Sequence, residues 1–248
     1  VKMIEVLSQA YDYIVIDSVT GENPISFNIM GMSDVIVVCV PQDRFVYESL
    51  DMSIFENKKV IFLSSMHNEK SELTLNKIKS ILPFQVYYVR RNEKVNQAVY
   101  EQEVFGYITN EIKKKSSVIN ELREIHSEIN RLINIENLNI TYEVKKNFDT
   151  RNNEVSSGSI PKPEIKVIKE YKFIKAKNNI AVLNLSQGAG STFITLNLAY
   201  MLRDKKVDVS VIEAPHKNMK ADIFYIISDD YEVFESEKAV IKNGIKFY

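Results

Sequence analysis

The sequence predicts an α/β fold in which helices cover both faces of a mostly parallel sheet. Two strand-like runs, residues 11–17 and 35–40, are apolar at most positions, and β-branched residues dominate the second run. Strands that are apolar on both sides are typical of sheets with helices on both faces. Strand-like and helical segments then alternate along the chain, which is the pattern of parallel crossover units.

Two further strands are predicted at residues 59–64 and 85–89, with a helix over residues 73–81 between them. From residue 95 to residue 132, apolar side chains recur at three-to-four spacing on a charged background. This period is typical of one or two amphipathic helices that pack on the sheet.

The composition changes after these helices. Residues 136–172 are rich in Asn, then in Ser, Gly and Pro, with few apolar residues, which is typical of a linker or a loop. Beyond them, a strand at 180–185, a glycine loop, a helix at 191–203 and a strand at 207–212 are predicted. We therefore divide the chain into residues 1–135, a linker at 136–172, and residues 173–248.

Composition narrows the function classes. The 248 residues suffice for one α/β domain with an extra segment or for two incomplete ones. The net charge of -1 gives no overall attraction to nucleic acid or acidic membranes. A single cysteine, Cys39, excludes an internal disulfide framework, and no apolar run is long enough for a membrane span. We expect a cytoplasmic protein that contacts membranes only through a partner.

One loop carries a candidate anion site. Residues 186–192 (Ser-Gln-Gly-Ala-Gly-Ser-Thr) lie between an apolar strand and a helix, where backbone N–H groups can cradle phosphates. The standard phosphate loop has a glycine five places before Gly190 and a lysine directly after it, whereas this chain has Leu185 and Ser191. The candidate binding residues are Gly188, Ala189, Gly190, Ser191 and Thr192.

The segment from residue 180 to residue 215 resembles the opening of the MinD/ParA-like P-loop ATPases of the SIMIBI class. Residues 12–21, which read Asp-Tyr-Ile-Val-Ile-Asp-Ser-Val-Thr-Gly, are similar to the Walker B strand of that family and its following glycine. Residues 33–41 are similar to the family's next strand, and residues 89–98 to a late family segment. The resemblance implies a P-loop NTPase-like fold. It covers most of the chain.

Aligned with this family, Ser186 and Ser191 stand where the family has lysines, and Glu213 stands at its strand-end aspartate. The resemblance also implies ATP and Mg²⁺ as cofactors, with Thr192 and Asp17 as metal ligands and Gly21 beside the nucleotide. A different interpretation of Asp17 is a helix cap or a loop hydrogen bond. Loss of one charge-assisted phosphate contact weakens binding by about 2 to 3 kcal/mol.

The motif order is unusual, because the family places its phosphate loop before its Walker B strand. Either the chain is circularly permuted, so that both parts complete one sheet, or it is a window cut from tandem domains. If the chain folds alone, a parallel sheet needs all its central strands, which favours the first explanation. The motif order by itself does not decide between the two explanations.

The resemblance implies a pseudo-ATPase that acts as a localisation or assembly factor. Family members position pili, plasmids, division sites or secretion machinery, and the divergent pilus-assembly branch (CpaE/TadZ-like) tolerates degenerate loops. Protein partners and a homodimer are implied. One alternative is an active or weakly binding ATPase, in which a residue elsewhere in the chain (Lys205, Lys206 or Lys217) or a partner subunit replaces the missing lysine. The other is a truncated fragment without independent activity.

The remaining reactive side chains are interpreted as structural. His67, His126 and His216 lie in polar stretches, so we expect surface residues and no metal site. Cys39 lies among valines and is expected to be a buried, inert thiol. The lysines at 113–115 are expected on a solvated helix face, and the aromatic residues between 84 and 107 in the core or at its rim.

Overall fold

The computed structural model describes residues 2–21, 24–133, 178–186, 188–214, 223, 227, 232–234 and 239–248. The predicted linker at 136–172, together with Gln187, His216 and Lys217, lies outside the described residues.

The helices and strands are numbered in chain order. The helices are α1 Lys2–Ala10, α2 Pro24–Met32, α3 Arg44–Ser49, α4 Leu75–Ile81, α5 Glu93–Tyr100, α6 Val104–Lys114, α7 Ser117–Ile133 and α8 Ser191–Asp204, with a 3-10 turn at Met52–Phe55. The strands are β1 Tyr13–Thr20, β2 Val35–Val40, β3 Val60–His67, β4 Val86–Arg90, β5 Asn178–Asn184, β6 Val209–Glu213, β7 Glu232–Phe234, β8 Ala239–Lys242 and β9 Ile245–Phe247.

The strands that the structure describes form one sheet in the order β4-β3-β2-β5-β1-β6-β9-β8-β7. Every neighbouring pair from β4 to β9 is parallel, and the pairs β9–β8 and β8–β7 are antiparallel. The predicted α/β class with a mostly parallel sheet is therefore confirmed. Strand β5 lies between β1 and β2, so segments from both sides of residues 134–177 share the sheet.

Both faces of the sheet are covered, as the apolar strands predicted. On β1, Tyr13 and Val15 contact the core on the side of α6, α7 and α8, while Ile14 and Ile16 contact the core on the side of α1 and α2. Side chains of successive strand residues point to opposite faces, so a strand buried on both sides must be apolar throughout. Burial of each such side chain contributes about 1.5 to 3 kcal/mol.

Several helices begin where short polar side chains satisfy their first N–H groups. Asp43 accepts a hydrogen bond from Phe45 N at 2.9 Å before α3, and Asn92 accepts one from Lys94 N at 3.0 Å before α5. Such caps typically contribute about 1 kcal/mol each. Local sequence thus sets these helix starts.

Some boundaries differ from the predictions. The segment at 95–132 forms three helices instead of one or two, because Gln102 and Lys115 adopt left-handed backbone conformations (φ 58° and 52°) that interrupt the helical run. Strand β1 continues to Thr20, where a loop was predicted from Ser18. Strand β3 continues to His67 past a bulge, within which Met66 has a φ of 53°.

Candidate functional site

The sheet brings the candidate site residues to one edge. Strand β5 ends at Asn184, directly before the glycine loop, and its neighbour β1 carries Asp17 near the same edge. The N–H of Gly21 donates to the Asn184 carbonyl at 2.8 Å, which ties the end of β1 to the start of the loop. Asp17 and Glu213 lie side by side on β1 and β6. Residues far apart in sequence therefore surround one loop.

The backbone of the loop has the shape of an anion cradle. Gly188 and Gly190 have φ values of 77° and 80°, a left-handed conformation that glycine adopts without a steric penalty. Gly190 is the N-cap of α8, and no side chain makes a capping hydrogen bond there. The first N–H groups of a helix have no partner within the helix and carry partial positive charge. Ala189 N donates to Ser186 O at 3.2 Å and closes the turn.

The charge at this loop does not match a triphosphate. Ser186 and Ser191 occupy the lysine positions, and Ser191 is buried. Asp17 is also buried, and the carboxylate of Glu213 accepts from Ile223 N at 3.3 Å. A carboxylate at Asp17 suits Mg²⁺, whereas the described loop residues offer no cation to the phosphate oxygens. The described loop residues therefore have glycines with the backbone of an anion site but not the positive charge that a triphosphate needs.

The lysines proposed as replacements lie elsewhere. Lys205 and Lys206 follow the last residue of α8, whereas the glycine loop precedes the first. A helix of this length spans about 21 Å, because each residue adds 1.5 Å. Lys205 and Lys206 are therefore too far from the loop to replace its lysine, and Lys217 lies outside the described residues.

A small cavity adjoins the loop at Gly190. Its volume is about 40 Å³, enough for only a few water molecules. The walls are mainly apolar, and Arg90 and Arg91 are the cationic residues among those that line it. The other lining residues are Ser65, Met66, Val89, Asn92, Val95, Asn96, Phe193 and Ile194.

The two arginines differ in their freedom to bind an anion. The Arg90 guanidinium contacts Glu69 at 3.0 Å and the buried Glu121 at 3.2 Å, and Arg90 N donates to Glu121 at 2.9 Å. Burial raises the pKa of Glu121. Among the described residues, Arg91 forms an ion pair with the exposed Glu93 at 2.9 Å, and such surface pairs contribute little. Arg91 is therefore the cation that can turn towards Gly190, and motif matching did not single it out.

The prediction that the three histidines lie on the surface is wrong for two of them. His67 and His126 are both buried. His126 lies in the apolar stripe of α7 between Leu122 and Ile129, a spacing from which its burial could have been read. His67 follows the β3 bulge, with Nδ1 3.2 Å from Ser64 Oγ, and burial lowers its pKa.

The other structural interpretations hold. Cys39 is buried, and burial raises the pKa of its thiol far above the ordinary value, which makes it inert. The lysines at 113–115 are exposed on α6 and just after it. Phe105 is buried, and Phe84 and Tyr107 are half-buried at the rim of the core. Tyr100 is the exception among these aromatic residues, because it is exposed.

Gly21→Ala is expected to lower the free energy of unfolding by about 1 to 2 kcal/mol, because Gly21 has a φ of 86° that disfavours any Cβ. Gly31→Ala is the matched control: Gly31 lies within α2 with open space around it, so alanine should stabilise by up to about 1 kcal/mol. Urea unfolding of both variants measures the difference. Equal effects of the two changes would show that the Gly21 turn carries no conformational requirement.

Comparisons with known proteins do not identify a family. No protein-family model matches the chain, and no curated protein matches it. In the described part of the chain, no helix is long and apolar enough to cross a bilayer. Within the same residues, no three His, Cys, Asp or Glu side chains are grouped to hold a metal ion. The resemblance to MinD/ParA-like ATPases therefore rests on the motifs of the sequence.

Proposed function

We propose that this protein is a MinD/ParA-like pseudo-ATPase that works by association, as a localisation or assembly factor of pilus, secretion, conjugation or partition machinery in the bacterial cytoplasm. One observation carries the proposal. The glycine loop lies beside Asp17 at the edge of a mostly parallel sheet, as in a nucleotide site, while serines replace both lysines.

Phosphoryl transfer depends mainly on positioned positive charge, which the loop lysine and Mg²⁺ supply when they are present. Here the described loop offers backbone N–H groups and hydroxyls only. The carboxylate of Asp17 on β1 suits Mg²⁺ but supplies no positive charge to the phosphates. Nucleotide hydrolysis is therefore not the task of this site, and the fold serves to present surfaces.

Helix α2 supports a role in protein association. It contains no charged residue, and Ile25 and Phe27 are each about 43% exposed. Ser18 at the end of β1 is hydrogen-bonded to Ser26 of α2, with 3.3 Å between the hydroxyls, so α2 is joined to the site strand. Protein partners or a second copy of the chain fit such a surface.

Thermal melting with ATP and Mg²⁺ tests the loss of nucleotide binding. We expect no shift of the melting temperature, because the loop lacks its cations. A ligand present at a hundredfold excess over Kd would stabilise the protein by about 2.7 kcal/mol. A clear shift that Thr192→Ala and Asp17→Ala both abolish would overturn the proposal.

Restoring the lysine provides the converse test. Ser191→Lys should raise affinity for ATP and Mg²⁺ by tens to hundreds of fold over Ser191→Met, because one charge-assisted contact is worth about 2 to 3 kcal/mol. Methionine is the matched control, since it buries a side chain of similar length without charge. Calorimetric titration compares the two variants. Equal affinity in both would mean that charge is not what this loop lacks.

The second candidate is a weak nucleotide binder, favoured by Arg91, a cation that lines the cavity beside Gly190. In that case the unmodified protein binds ATP at millimolar concentration, and Arg91→Ala abolishes binding. Arg44→Ala is the control, because Arg44 is exposed and pairs with Glu48 on α3. If the unmodified protein does not bind ATP, the second candidate is excluded and the pseudo-ATPase proposal stands.

A further inference from the structure

Strand β5, in the interior of the sheet, comes from the C-terminal part of the chain. Strand β5 pairs in parallel with β1 on one side, where Val15 is opposite Ile180, and with β2 on the other, where Val35 is opposite Ile180. Without residues 178–248, β1 has no strand partner among the described residues, and one side of β2 is open. Such unpaired edges bind another strand readily.

Hydrogen bonds at both ends fix the register of the inserted strand. Asn179 N donates to Asp34 Oδ2 at 2.7 Å, and Asp34 N donates to Asn179 O at 2.8 Å. At the other end, Leu185 N donates to Cys39 O at 3.3 Å. A shift by one residue would turn every side chain of β5 to the opposite face of the sheet. The space between β1 and β2 therefore accepts β5 in this register.

Helix α8, which follows β5 in the same segment, packs against the neighbouring helix α6. The hydroxyls of Thr109 and Tyr200 are 2.9 Å apart, and the rings of Phe105 and Tyr200 are 6.0 Å apart. Tyr107 contacts Phe193 with 6.5 Å between ring centroids. All these contacts are non-covalent, so residues 178–248 of another copy would make the same set.

The connection between the two parts does not decide which copy supplies the strand. Helix α7 ends near the start of β3, where Lys59 Nζ donates to Leu132 O at 2.7 Å. Strand β5 starts beside Asp34, just before the adjacent β2, at the same edge of the sheet. Residues 134–177 thus have a short span to cross within one copy. A chain of that length can also extend over more than about 100 Å, which reaches a second copy.

We propose that residues 178–248 form an exchangeable module whose partner is a second copy of this chain: in a swapped dimer, β5 of each copy inserts between β1 and β2 of the other. The contacts are the same in monomer and dimer, so concentration decides between them. Linked segments typically meet at an effective concentration in the millimolar range. Dimers therefore form when the protein folds near that concentration, independently of nucleotide.

Two full-length variants test the exchange. Val37→Asp places a charge in β2, and Val182→Asp places one in β5, at positions that are fully buried and paired with each other. Each variant alone should fail to form the sheet. Refolded together, they should form a dimer in which intact β1 and β2 of one chain receive intact β5 of the other. About half of the circular dichroism amplitude and a cooperative melt should return.

The control pair is Val37→Asp with Val15→Asp, because both changes lie in residues 1–133 and exchange cannot restore an intact sheet. Recovery of the circular dichroism amplitude in both mixtures, or in neither, would overturn the proposal.

A second measurement needs no variant: the unmodified protein is refolded at about 1 µM and about 1 mM, diluted, and sized by light scattering. Dimers should appear only after the concentrated refolding and persist on dilution. Monomers under both conditions would also refute exchange.

Discussion

Phe62→Ala is expected to lower the free energy of unfolding by about 3 to 5 kcal/mol. Phe62 lies in β3 and is fully buried. Its ring packs against Phe55 and Phe84, with centroids 5.4 Å and 5.2 Å away. Alanine would remove these contacts and leave a cavity that the surrounding strands cannot close. Urea unfolding at neutral pH measures the loss.

Phe45→Ala is the matched control for this substitution. Phe45 is 82% exposed on α3, so its removal should change stability by less than about 0.5 kcal/mol. A loss at Phe62 no greater than that at Phe45 would mean that the β3 face is not part of the packed core. The pair thus tests whether Phe62 of β3 lies in the packed core.

Acid is expected to weaken the fold through His126. Burial, with a smaller contribution from Lys205, lowers the pKa of His126 to about 4, against 6.5 in an unfolded chain. The folded state therefore binds fewer protons than the unfolded state between these values, and stability falls as the pH falls from 6.5 to 4. The loss amounts to about 3 kcal/mol, since each pKa unit corresponds to 1.36 kcal/mol.

The measurement compares the unmodified protein with His126→Gln by urea unfolding from pH 7 to pH 4. The stability difference between the two proteins should change by about 3 kcal/mol across this range. Near His126, the other described groups are Lys205, whose charge opposes protonation, and Asn130, whose Nδ2 lies 3.4 Å from Nδ1 of the histidine. A difference that stays constant with pH would show that His126 titrates as an ordinary surface histidine.

The fold class was predictable because its signal is local. The apolar run at 35–40 needs cover on both faces, and the structure places it in the interior of the sheet as β2. The helix predicted at 191–203 is α8, which ends one residue later. The number of helices between 95 and 132 was not predictable from periodicity, because a single left-handed residue such as Lys115 ends a helix without disturbing the apolar pattern.

The candidate site was predicted in part. The two glycines of the loop were predicted from the strand–loop–helix context, and both have the positive φ that such loops require. The cavity beside Gly190 was not predicted, because the residues of β3, β4, α5 and α8 that line it meet only in three dimensions. Lys205 and Lys206 were close to the loop in sequence, yet the rigid length of α8 separates them from it.

The sequence by itself determined the α/β class, the position of the glycine loop and the absence of its lysines, because each depends on residue types within short segments. Only the tertiary structure decided that β5 lies between β1 and β2, that Asp17 and Gly21 adjoin the loop, and that His126 is buried. The physical reason is that strand neighbours are chosen by hydrogen bonding and burial across the whole sheet. A local pattern predicts a strand but not its partners.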